Sequence, residues 1–94
     1  MSLFLKNPNA TLDFSVDWDD SYLAGQTIVN SLWRVEPATL DAVTIVTDSF
    51  DGAVTAVTLS GGGFGKQYQL LNQITLSNGL IDERSFVVRV GDTA

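Results

Sequence analysis

The sequence predicts an all-β domain, an immunoglobulin-like or fibronectin-like antiparallel β-sandwich of about seven strands. Three observations predict it: apolar residues recur at every second position in short runs, turn-forming residues punctuate the runs, and helical periodicity is nearly absent. The chain has 94 residues, 45% hydrophobic and 17% charged, a composition that supports one folded core rather than a disordered segment. A domain of this size buries roughly 60 to 68% of its unfolded surface, enough for a core without staples.

The elements follow in order. Leu12, Phe14, Val16 and Trp18 share one face of a first strand while Asp13, Ser15 and Asp17 share the other, which puts the acids in water. In residues 27 to 35, Val29, Trp33 and Val35 are in phase with Ser31 between them, and Ile28 and Leu32 lie opposite. Apolar residues on both sides predict a central strand, or one with a bulge near Asn30. Glu36-Pro37 closes it. Val43, Ile45 and Thr47 alternate before a turn-like stretch from Asp48 to Gly52, and Thr55, Val57 and Leu59 make the next strand. The longest alternation is Tyr68, Leu70, Asn72, Ile74 and Leu76; Asn78-Gly79 then predicts a hairpin, with Phe86, Val88 and Val90 on the returning strand. Leu59, a glycine-bearing loop and Tyr68 fit a tyrosine corner, in which the phenol hydroxyl ties back to the loop backbone; the alternative is that Tyr68 simply opens a strand. Residues 1 to 10 read as an N-terminal extension available for docking to a partner, and residues 11 to 94 as a single sandwich domain ending in a short tail from 91.

The composition excludes much chemistry. With no cysteine and no histidine, disulfides, thiolate or imidazole metal ligation and histidine-based triads are all ruled out. Eleven acidic residues against five basic give a formal net charge of −6, which disfavours nucleic acid or an anionic membrane as partner. Met1 to Leu5 lacks the basic flank and length of a signal peptide, and no apolar stretch is long enough to span a bilayer. Asn9-Ala10-Thr11 matches a glycosylation sequon by chance, with no secretion signal beside it.

Ser60 to Gln67 fails as a phosphate loop, because Ser60 replaces the first glycine and Gln67 the hydroxyl after the lysine. It fails as a dinucleotide fingerprint as well, Lys66 standing at the third glycine position. A turn needing positive φ is the simpler reading. Asp17, Asp19 and Asp20 have the spacing of oxygen ligands for calcium, but Tyr22 and Ile28 stand where an EF-hand loop needs glycine and glutamate; a solvated cap on a turn or short helix is the competing reading. No paired carboxylates come with a cleft for glycoside hydrolysis. The expectation is no enzyme, no cofactor and no metal. Trp33 is the expected central core residue. Trp18, Tyr22 and Phe64 are the interface candidates, since Trp18 and Tyr22 sit where a strand ends and Phe64 sits in a glycine loop, with a core position equally open for Trp18.

Four stretches together carry a resemblance. They are Lys6 to Trp18; Tyr22 to Ile28 with Ser31 to Val35; Val57 to Gly62 with Gly65, Tyr68, Asn72 to Thr75 and Gly79; and Asp82 to Val90. In order along nearly the whole chain, they resemble a family of small phage virion proteins, the fiber-tail adaptors. Residues 36 to 53 match least, and Gln26 stands where an acid is common. The resemblance implies a small β-sandwich, present in several copies in the virion and made in the bacterial cytoplasm, whose partners are phage tail and tail-fiber proteins. It brings no catalytic or binding residues. Two other readings stay open: a carbohydrate-binding or adhesion module that stacks the same aromatics on glycans, and an immunoglobulin-like decoration domain of the particle.

Overall fold

The computed structural model describes residues 2–91. Along them run β1 (Ser2–Lys6), β2 (Thr11–Asp17), the short helix α1 (Asp20–Leu23), β3 (Ile28–Glu36), β4 (Val43–Asp51), β5 (Val54–Gly61), β6 (Gln67–Leu76) and β7 (Ile81–Val90). They make a four-stranded sheet in the order β1-β7-β6-β3 and a three-stranded sheet in the order β2-β5-β4. All pairings are antiparallel except β1 with β7. This is the immunoglobulin-like sandwich that the alternation predicts, with its first strand on the edge beside the last strand.

The alternating apolar residues meet between the sheets. Phe14, Val43, Val57 and Leu59 of one sheet pack with Tyr68, Leu70, Phe86, Val88 and Val90 of the other. A second cluster at one end joins Trp18, Leu23, Ile28, Ala53, Ile74 and Leu76. Between the clusters lies a polar network. The Trp18 indole N–H donates to Asn72 Oδ1 at 3.1 Å and Thr55 Oγ1 at 3.3 Å. Thr55 Oγ1 donates to Asn72 Oδ1 at 2.6 Å, and Asn72 Nδ2 donates to Ser31 Oγ at 2.9 Å and Leu32 C=O at 3.1 Å. Trp18, Thr55 and Asn72 are wholly buried, so these bonds replace water that the groups cannot reach.

The corner at Tyr68 is present. Its hydroxyl accepts from the Gly63 N–H at 2.9 Å and donates to the Asp41 C=O at 3.1 Å. Lys66 Nζ reaches Asp41 Oδ2 at 2.8 Å across the same loop; this bond, and then the Thr39 hydroxyl, hold the Asp41 carboxyl below the usual carboxylate range. Gly62 occupies positive φ at 105°, and a Cβ there would lie 2.7 Å from Val90 Cγ2 and 2.8 Å from Val43 Cγ1. The glycine loop is therefore a strand connection pressed onto the core.

Several local expectations are corrected. Residues 2–6, read as part of a free extension, form β1: Phe4 packs against Phe14 and Phe86 with ring centroids 5.4 and 5.3 Å away. Lys6 is fully buried, its ammonium donating to Gly61 C=O at 2.7 Å and Asn7 C=O at 3.0 Å, and burial pushes its pKa down. The strand lacks the usual pattern, because Leu3 and Leu5 point outward, Phe4 stays 39% exposed on the inner face, and that face ends in a buried lysine. β3 is an edge strand rather than a central one. The expected bulge is there, and it turns Ile28 inward and Val29 outward. Trp33, on this edge, is only partly buried, edge-on to Phe86 at 5.9 Å; the fully buried tryptophan is Trp18. Asp48 to Asp51 continue β4, paired to β5 as far as the Gly52-Ala53 turn. At the 78–79 hairpin only Gly79 takes positive φ, at 89°; bonds from Gly79 N–H to Leu76 C=O and from Leu76 N–H to Leu80 C=O, each 2.8 Å, close a three-residue loop.

Two substitutions test this account by urea denaturation. Asn72→Ala leaves buried partners unsatisfied and is expected to cost about 2–4 kcal/mol. Gly62→Ala combines an unfavourable φ with overpacking against Val90 and Val43 and is expected to cost about 2–5 kcal/mol.

Candidate partner-binding surface

The first aromatic site is built by the chain leaving β2. The Trp18 N–H bonds the Ala53 C=O at 2.8 Å, and its ring turns into the core. Asp17 Oδ1 accepts from the Asp19 N–H and Asp19 Oδ1 from the Ser21 N–H, each at 2.9 Å. Asp19 caps α1, and Ala24 ends it in the left-handed conformation at φ 52°. Within this single turn Leu23 points inward and Tyr22 outward, 53% exposed. The acids considered for calcium are thus placed as turn and cap residues, and among the described residues no three acidic side chains converge on a metal position.

Tyr22 is held rather than free. Its hydroxyl donates to Asp82 Oδ2. The Arg84 guanidinium lies 4.4 Å from the Trp18 ring centroid and 4.8 Å from that of Tyr22, while Nη1 donates to the Asp17 C=O at 3.3 Å. This cation–π wedge fixes the phenol ring against the end of the sandwich. Beside it opens a groove of 460 Å³ whose walls include Tyr22, Leu76, Leu80 and Ile81. Leu80 and Ile81 are each 62% exposed, and Asp82 lines the groove beside them.

Phe64, 65% exposed, lies at the other end. The Gly65 N–H bonds Val90 C=O at 2.8 Å, and the Val90 N–H bonds Lys66 C=O at 2.9 Å, holding the loop to the end of β7. A groove of 320 Å³ there is lined by Leu5, Phe64, Gly65, Arg89, Val90 and Gly91. The Tyr22 contact at Asp82 and the Phe64 contact near Val90 are eight strand residues apart, about 27 Å.

Of the three candidates, Tyr22 and Phe64 are on the surface, and Trp18 is corrected to the core because its indole is the donor at the centre of the buried network. The structure does not bring the three together into one aromatic platform. Sequence reasoning missed Leu80, Ile81 and Arg84. The adjacent aliphatics just after Asn78-Gly79, which break the alternation, were the available signal. For Arg84 there was none, since its two rings come from another element.

The Tyr22 hydroxyl is held above the ordinary phenol range, first by its hydrogen bond to Asp82 and then by that carboxylate's charge. The contact is therefore complete at neutral pH and is lost as pH rises through the folded-state value. In an alkaline NMR titration of the Tyr22 ring carbons, Asp82→Asn is expected to move the transition down toward the ordinary range; an unmoved transition would contradict the assigned cause.

Comparison with known proteins places this geometry. A search of curated protein sequences finds no match. Among solved structures, the solution structure of the PKD domain from the KIAA 1837 protein is similar with a TM-score of 0.61 at 15% identity, covering 99% of this chain and 82% of that one. That likeness is one of fold, an immunoglobulin-like sandwich. Residues 6–89 match the family described as podophage GP4 fiber-tail adaptor protein gp77, a span that takes in the residues lining both grooves except Leu5, Val90 and Gly91. The chain belongs to that fiber-tail adaptor family.

Proposed function

We propose that this chain is a non-enzymatic component of a phage virion that joins a tail fiber to the tail through contacts at its two ends. Family membership supports the role. The observation that carries the mechanism is the placement of Tyr22 and Phe64 in separate grooves at opposite ends of a body 41 Å long. A cross-sheet hydrogen-bond network and a pinned loop stiffen the body between them. Exposed aromatic and aliphatic side chains in concave sites are the usual anchors of protein interfaces. The ends also differ in charge: the charged residue lining the Tyr22 groove is Asp82, whereas Arg89 lines the other. Two chemically different ends suit two different partners.

The glycan-binding reading needs exposed rings side by side, and Trp18 is buried while Tyr22 and Phe64 lie at opposite ends.

Particles assembled with Tyr22→Ala or Phe64→Ala test the mechanism. Each substitution is expected to weaken one joint by about tenfold or more. One variant gives particles lacking both adaptor and fiber, the other particles that keep the adaptor and lack the fiber, read by quantitative gel analysis of purified virions. Wild-type amounts of both proteins in both variants, with unchanged melting temperatures, would overturn the two-ended mechanism.

A further inference from the structure

A sandwich has four edge strands, and three of these are blunted against pairing with another chain. β3 is broken in register between Ile28 and Asn30. β4 is broken between Ile45 and Thr47, and Asp48 lies opposite the inward Val57, setting a carboxylate on the inner side of that edge. β2 carries Asp13 and Asp17 on its outer face. Bulges and charges of this kind are how sheets avoid edge-to-edge association. β1 has no bulge, and its one charge, Lys6, turns inward at the last position of the strand, where the Gly61 C=O already accepts from it. Its five pairs with β7 run without a break, it carries no acid, and its outward side chains, Leu3 and Leu5, are each 57% exposed.

The backbone pattern identifies the free groups. Lys6 is partnered with Val90, and its C=O accepts from the next residue, Gly91 N–H, at 2.9 Å. In a parallel ladder alternate residues bond to the same neighbour, so Phe4 and Lys6 face β7 while the N–H and C=O of Leu3 and Leu5 face away from the sheet. Among the described residues nothing bonds to those four groups.

We propose that β1 pairs with β1 of a second copy, antiparallel about a two-fold axis through Phe4, to form a continuous eight-stranded sheet. In that register Leu3 of one copy faces Leu5 of the other in both directions. Each pair exchanges two N–H···O=C bonds, and all eight free groups of the two strands are satisfied. The side chains are self-complementary too: leucine meets leucine on the outer face, and the two Phe4 rings, each 39% exposed, meet on the inner face. Charge supports a second copy at this edge. Each chain carries −6, yet the β7 residues beside β1, Phe86 to Val90, include one arginine and no acid. The seam thus avoids the carboxylates that would oppose association elsewhere. With only five residues a side it falls below the standard interface of about 800 Å² per partner, so a Kd of about 0.1–1 mM is expected. Screening of the general repulsion makes the dimer tighter in salt. The proposal does not rest on fiber attachment, so each can fail alone.

Sedimentation of the full chain between about 10 μM and 1 mM, with amide exchange by NMR on the same samples, tests it. The expected result is a monomer–dimer equilibrium strengthened by salt, in which the Leu3 and Leu5 amides gain protection with concentration while the Phe4 amide is protected throughout. Leu5→Lys is expected to weaken association at least about tenfold, while Leu32→Lys, on the far edge of the same sheet, leaves it unchanged, both variants keeping the parent melting temperature. A monomer throughout the range, Leu3 and Leu5 amides insensitive to concentration, or a dimer indifferent to Leu5→Lys would each overturn the proposal. So would a monomer whose two leucine amides become protected only when purified fiber or tail protein is added, which would assign the edge to a foreign strand.

Discussion

The side chain of Asn72 sits wholly inside the sandwich, with its amide oxygen and nitrogen both bonded, and much of the molecule depends on those bonds. An unpaired amide in that position would cost more than any one apolar contact nearby returns. Satisfying it requires Thr55 of one sheet and Ser31 and Leu32 of the other at fixed distances, so the network sets how the sheets lie on each other. It also requires the indole of Trp18. Once that ring is drawn inward, the chain beyond β2 has to turn at Asp19, which places Tyr22 on the surface and leaves the Trp18 ring beneath Arg84. The exposed site is in this sense a consequence of the buried one.

The two ends are stabilised by different means. At the Tyr22 end a cation–π wedge and a phenol–carboxylate bond fix an aromatic side chain against the sheets. At the other end a loop is pinned by backbone bonds to β7, by the Tyr68 hydroxyl, and by a glycine that packs where no side chain fits. The hydrogen-bonded network between the two ends stiffens the body that separates them.

The strands with a period of two were legible where one face is buried and the other wet. Leu12 to Trp18, Tyr68 to Leu76 and Phe86 to Val90 alternate because the pleat sends successive side chains to opposite faces, and the corner at Tyr68 was legible because a local loop builds it. β1 was not legible, since Leu3 and Leu5 face outward while a lysine faces in beside Phe4, an arrangement made by Phe14, Phe86 and the Gly61 carbonyl from distant strands. The Asp48 to Gly52 stretch has the residues of a turn, yet ladder bonds to β5 hold it extended.

By itself, then, the sequence determined the sandwich, its strand spacing, the need for glycine at the turns, and the absence of cysteine and histidine chemistry. These follow from covalent properties of each residue and from periodicity along the chain. Tertiary structure alone decided which aromatic residue is core and which is surface. Trp18 and Tyr22 are four residues apart at the end of one strand, and nothing local separates them. Trp18 is buried because Asn72 and Thr55, far off in sequence, offer its N–H an acceptor; Tyr22 is exposed because Asp82 and Arg84 hold it at the rim.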